Sequence, residues 1–146
     1  MRILLIDDNP DAAMVVASFL KALDHQVFPY NDAREALLWL KDIRPELVIA
    51  DLDMPGMSGF EFLRRFRAYT SFASTPVVCV TGTEATDEEI YAAGFAAILR
   101  KPVTLSDVMD CIDQVTEQKQ KDSSIVAPEE ATGGEQGISS VNGSNP

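Results

Sequence analysis

The run Leu47-Val48-Ile49-Ala50-Asp51-Leu52-Asp53-Met54-Pro55-Gly56 decides the fold class. Its four leading apolar residues have no polar alternation, the pattern of a strand buried on both faces, as in parallel sheets covered by helices. Asp51 stands where that run stops and the turn residues Pro55, Gly56 and Gly59 begin. A carboxylate at the carboxyl end of such a strand lies on the rim where open α/β sheets bind ligands.

The rest of the chain repeats the unit. Arg2 to Ile6 is a first strand ending in Asp7-Asp8, and Asn9-Pro10 then reads as an N-cap with proline at the first helical position. Ala12, Val16, Phe19, Leu20 and Leu23 follow at helical spacing. Val27 to Tyr30 is a weaker strand, and Pro29 marks it as an edge. Asp32 to Glu35 has capping-box spacing and opens a second helix bearing Ala36, Leu37, Leu40 and Ile43, with Trp39 read as a packing residue.

A third helix starts at Ser58-Gly59-Phe60-Glu61, and Pro76 to Val80 is another apolar strand, ending at Thr81-Gly82. Thr86 to Glu89 is a further capping box for a short helix that Gly94 stops. Ala96 to Leu99 is a fifth strand, followed by Arg100-Lys101-Pro102 and a last helix from about Thr104. Five strands alternating with five helices predict a doubly wound, five-stranded parallel α/β sheet over residues 1–118. Residues 119–146 are rich in Ser, Gly, Glu, Asn and Pro and are expected to form a disordered tail.

Composition removes several classes of function. The 146 residues suffice for one domain, and no apolar run approaches the roughly 18 residues of a membrane span. The first strand is too short for a signal peptide, which points to the cytoplasm. A net charge of −11 argues against direct nucleic-acid binding, and the one basic cluster, Arg64, Arg65 and Arg67, reads as a solvated helix face. Cys79 and Cys111 fall within apolar patterns and His25 in a loop, with no metal-ligand spacing among them.

In a parallel sheet every strand end falls on one edge, so Asp7, Asp8, Asp51, Thr81 and Lys101 are expected in one cleft. Three carboxylates there call for a cation, and an oxygen-only ligand set open to water suits Mg²⁺. Lys101 adds a fixed positive charge and Thr81 a hydroxyl. Cation, ammonium and hydroxyl together are what phosphoryl oxygens require. Asp51, on the central strand, is then the candidate nucleophile, forming an aspartyl phosphate.

Four blocks carry a resemblance: Ile6-Asp7-Asp8-Asn9, Asp51 to Gly59, Thr81-Gly82 and Lys101-Pro102. From Arg2 to about Gln118 the chain resembles the receiver, or response-regulator, domain of two-component signalling, which has a flavodoxin-like fold. The resemblance implies a phospho-acceptor signalling domain and not an enzyme. Asp51 would be phosphorylated from a phosphohistidine of a sensor histidine kinase or a histidine phosphotransfer protein. Asp8 and Asp51 would contact Mg²⁺, Asp7 would act mainly through water, and Asp53 would lend its backbone carbonyl. Lys101, before a cis peptide bond to Pro102, would bind a phosphoryl oxygen, and Thr81 would move to hydrogen-bond the group beside Gly82. Without an output domain after the last helix, and with Met1 directly before the first strand, the expectation is a stand-alone regulator or phosphorelay intermediate signalling by protein–protein contact.

The chain departs from the family in one place. An aromatic usually stands three residues before the lysine and swings inward with the threonine, and here that position is Ile98. Phosphorylation is therefore expected to remodel the face of the fourth predicted helix, fifth strand and fifth helix less completely, or by backbone shift. A haloacid-dehalogenase-type phosphatase shares the Asp51/Asp53 spacing, but its acidic pair follows the lysine, and here Asp7-Asp8 comes first. A binding module that takes no phosphate would tend to lose the acids, Thr81 and Lys101, all of which are present.

Overall fold

Strand β3 (Leu47–Asp51), buried at every residue, is the centre of a sheet ordered β2-β1-β3-β4-β5. β1 spans Arg2–Ile6, β2 Gln26–Tyr30, β4 Val77–Thr81 and β5 Ala97–Arg100, and every pairing is parallel. The structure, a computed structural model, describes the backbone of residues 1–82 and 84–126 and the side chains of 1–82 and 84–118. The chain divides into two units: Met1–Cys111, which holds the entire sheet, and Ile112–Pro146, where the last helix continues.

Period-two alternation sends successive strand residues to opposite faces. Leu4, Ile6, Val48, Ala50 and Cys79 join one core cluster with Ala36, Leu40, Phe62, Leu63, Phe66 and Ile90. Helices α2 (Ala33–Leu38), α3 (Leu40–Ile43), α4 (Gly59–Arg67) and α5 (Asp87–Ala93) supply those partners. The alternate strand residues Ile3, Leu5, Leu47, Ile49, Val78 and Val80 are equally buried and project to the opposite face. α1 (Pro10–Ala22) buries Ala13, Val16, Ala17 and Leu20. α6 (Leu105–Val126) begins within the first unit, where Val108 and Cys111 are buried.

The expected helix starts form through their side-chain caps. Asn9 Oδ1 accepts from the N–H groups of Asp11 and Ala12, and Ser58 Oγ from that of Glu61. Asp32 accepts from the Arg34 N–H. Thr86 and Glu89 cap each other's backbone N–H groups, as do Thr104 and Asp107. Gly94 ends α5 at φ +113°, the left-handed conformation that favours glycine.

Two expectations change. The second predicted helix is two helices, so the described chain has six α-helices and not five. At Trp39 the backbone tightens: its N–H donates to the Ala36 carbonyl, and its own carbonyl accepts from Asp42 N, both three residues apart. Trp39 is also 48% exposed, beside Leu38 at 79%, so it is not the packing residue its position suggested. At the other end, the α6 backbone runs to Val126, past Gln118, while residues 127–146 of the expected tail lie outside the described residues. Among the described residues no helix is long and apolar enough to cross a membrane.

Candidate functional site

Register brings the acids together. Ile6 pairs with Ala50, so the next residues, Asp7 and Asp51, emerge side by side from β1 and β3. Asp7 extends the ladder, its N–H donating to the Tyr30 carbonyl at 3.1 Å, and its Oδ1 accepts from the Asn9 N–H at 3.0 Å. On the far side Thr81 pairs with Arg100, and the Lys101 N–H donates to the Thr81 carbonyl at 2.9 Å. By alternation Asp51, Asp7 and Lys101 project to one face of the sheet, and Thr81 and Arg100 to the other.

Lys101 Nζ bridges the two buried acids, 3.1 Å from Asp51 Oδ2 and 3.2 Å from Asp7 Oδ2. Asp51 Oδ1 accepts from the Asp53 N–H at 3.1 Å. Burial raises the Asp51 carboxyl above its usual range, opposed by the Asp53 and Lys101 hydrogen bonds and reinforced by the Asp7 charge. Burial alone would lower the Lys101 ammonium, but its bonds to Asp51 and Asp7 hold it above its ordinary value.

Asp7, Asp8 and Asp51 each offer a carboxylate oxygen within 4.8 Å of the others. Two like charges that far apart repel by about 3 kcal/mol at an effective dielectric near 20, and one ammonium cannot balance three acids. The set fits a hard divalent cation: all oxygen, with Asp7 and Asp51 buried and Asp8 exposed, leaving a side for retained water. The residues suit Mg²⁺.

Asp53 follows Asp51 in the loop and is exposed. Thr81 is fully buried at the end of β4. The Lys101-Pro102 bond is cis, as the resemblance implied. A Cβ at Gly82 would stand 3.8 Å from Lys101 Cβ, in ordinary contact. Beside the cluster an apolar cavity of about 190 Å³ runs between Val15 and Val16 of α1 and Pro102 and Val103 after β5, with Asp7 and Lys101 also lining it.

Three supporting residues escaped the sequence reading. Gly59, read as a turn residue at the start of the third helix, begins α4 close against β3: its N–H donates to the Leu52 carbonyl, and a Cβ would collide with the Asp51 carbonyl oxygen. Arg34, paired with Asp32, lays its guanidinium 3.3 Å from where a Gly56 Cβ would be. Arg100 reaches from β5 to Ala85 and Asp87. The first could have been suspected from a glycine inside a helix start, but nothing local signals the other two.

The family model for the response regulator receiver domain matches residues 3–113. The chain belongs to that family. This receiver is 35% identical over 134 residues to the response regulator Rre1 of Synechocystis, covering 90% of this chain and 58% of that protein. It is 35% identical over 117 residues to the sensory/regulatory protein RpfC of Xanthomonas campestris, 77% of this chain but 16% of that one. Against the virulence transcriptional regulatory protein PhoP of Salmonella typhimurium it is 32% identical, covering 75% of this chain and 49% of PhoP. The chain thus spans less than two thirds of each of these relatives. Among solved structures, the chemotaxis response regulator CheY4 of Vibrio cholerae superposes with a TM-score of 0.72 at 28% identity, covering 77% of this receiver and 96% of CheY4.

Proposed function

We propose that this receiver accepts a phosphoryl group on Asp51 from a phosphohistidine of a sensor kinase or phosphotransfer protein, in a Mg²⁺-dependent reaction in the cytoplasm, and signals by protein–protein contact. The observation that carries this is Lys101 Nζ held between Asp51 and Asp7 at the edge of a three-carboxylate cluster.

An Asp51 carboxylate oxygen attacks phosphorus, the phosphorus–nitrogen bond breaks, and the donor imidazole leaves with the bond's electron pair. The carboxylates of Asp7, Asp8 and Asp51, with the Asp53 carbonyl, would hold Mg²⁺, which when bound supplies positive charge against the phosphoryl oxygens. Burial makes the Asp51 carboxylate more basic, while Lys101 and the Asp53 N–H favour its ionised, attacking form. Lys101 then exchanges Asp51 Oδ2 for a phosphoryl oxygen, and the Thr81 hydroxyl becomes a further donor after moving from its buried position. Exposed Met14 and Val15 on α1, the latter lining the apolar cavity, support a protein as the donor.

Intact-mass analysis with Mg²⁺ and acetyl phosphate tests the reading. One added phosphoryl mass, absent in Asp51→Ala and lost on chelation of Mg²⁺, is expected. Modification that survives in Asp51→Ala would overturn the choice of acceptor.

A further inference from the structure

Arg100 lies directly across the β4–β5 ladder from Thr81. Paired strand residues project to the same side of a sheet. Thr81, Ile98 and Arg100 therefore share the face carrying the core cluster to which Ile90 of α5 belongs. The Arg100 guanidinium ends at α5: Nη2 donates to the Ala85 carbonyl at 2.8 Å and to Asp87 Oδ1 at 2.7 Å. Asp87 is the first residue of α5, immediately after its cap Thr86. Charge-assisted bonds to two acceptors fix both distance and direction.

The neighbouring residue makes this placement consequential. Lys101 holds Asp51 and Asp7 with its side chain and the Thr81 carbonyl with its backbone. Two adjacent residues at the end of β5 thus grip the acceptor site on one face of the sheet and the start of α5 on the other. Any displacement of Lys101 that follows a new group on Asp51 reaches Arg100 through a single peptide unit. Ile98, two residues earlier on the same face as Arg100, is half-buried and has no ring or polar tip with which to report on Thr81.

We propose that Arg100 is a positioning residue that couples the state of Asp51 and Thr81 to the N-terminus of α5, a proposal that rests on the acceptor reading above. An ordinary surface ion pair would also account for the contact with Asp87, since both side chains are substantially exposed. Such pairs add little to stability, so cutting this one leaves the fold in place and the two roles separable.

The experiment uses the full chain, ¹⁵N-labelled, with Mg²⁺ and beryllofluoride as the phosphoryl mimic. The parent, Arg100→Met, Asp87→Asn and Arg100→Lys proteins are compared. In the parent, the amides of Thr81 and of Glu88 to Ile90 shift together. In Arg100→Met, which keeps the apolar stem and removes both bonds, and in Asp87→Asn, which removes the charged acceptor and leaves the bond to the Ala85 carbonyl, the Thr81 shift persists. The α5 shift falls about two- to fivefold in Arg100→Met, the range set by an exposed charge pair, and by less in Asp87→Asn, and Arg100→Lys recovers part of it. Equal α5 shifts in the parent and both cut variants would overturn the proposal while leaving the acceptor reading intact. A parent showing no shift at Thr81 and no mass gain from acetyl phosphate would overturn both.

Discussion

Gly59 and Asp51 touch backbone to backbone: the first residue of α4 lies so close to β3 that a methyl group at 59 would overlap the Asp51 carbonyl oxygen and stand 3.0 Å from Leu52 Cα. The obstacle is main chain on a fully buried strand, which cannot rotate away as a side chain can. The position of Asp51, the proposed acceptor, is therefore set from behind by the absence of a side chain eight residues later.

Gly59→Ala should destabilise the protein by about 1–3 kcal/mol, the cost of overpacking, and lower phosphoryl uptake at Asp51. Gly82→Ala is the control, because a Cβ there has 3.8 Å of clearance and should change stability by no more than about 0.5 kcal/mol. Thermal denaturation of the two variants beside the parent checks both. Equal melting temperatures for Gly59→Ala and the parent would refute the steric account.

Mg²⁺ should raise the melting temperature of the parent. At ten times its dissociation constant the gain is about 1.4 kcal/mol. Asp8 is the exposed member of the acidic cluster, so Asp8→Ala should melt like the parent in chelator and lose most of the Mg²⁺-induced rise. Titration of Mg²⁺ followed by calorimetry gives both numbers.

Protonation gives a stability test with a definite sign. The Asp51 carboxyl is raised from 3.8 in the folded protein, chiefly by burial. Between that ordinary value and the raised one, the folded state binds more protons than the unfolded state, so this group's contribution falls as pH rises through the window. Asp51→Asn should accordingly be more stable than the parent at neutral pH in chelator, with the advantage shrinking toward pH 4. Denaturant melts at several pH values measure the difference, and an advantage that grows on acidification would contradict the assignment.

Gly94 closes α5 at φ +113°, where a Cβ has room beside Leu63 but the backbone is strained for any other residue. Gly94→Ala should cost about 1–3 kcal/mol while leaving acetyl-phosphate labelling of Asp51 intact. Combined melting and mass analysis separates this purely structural effect from that of Gly59→Ala, which should disturb both.

Much of the fold was legible because burial writes itself into residue type. Leu47 to Ala50 and Val77 to Val80 read as continuous apolar strands and lie at or beside the centre of the sheet, and the caps Asn9, Ser58 and Thr86 mark helix starts correctly. The acids at the ends of β1 and β3 converge because parallel register puts the ends of neighbouring strands on one edge. The break at Trp39 was not legible: it arises from a local tightening of the hydrogen bonds, with no glycine or proline to announce it. Nor were the reach of Arg100 to Asp87 and the place of Arg34 beside Gly56, which join residues distant in sequence through long, flexible side chains.

Pro29 completes the picture at the other end of the sheet. The Gln26 N–H bonds to Met1 and the Tyr30 carbonyl accepts from Asp7, so residues 26, 28 and 30 of β2 turn their amides toward β1. Val27 and Pro29 face outward, and proline has no N–H to give. A strand from a second molecule arriving at this border would find one donor where it needs two. The rim of β2 thus resists templated growth into larger sheets built from copies of this chain.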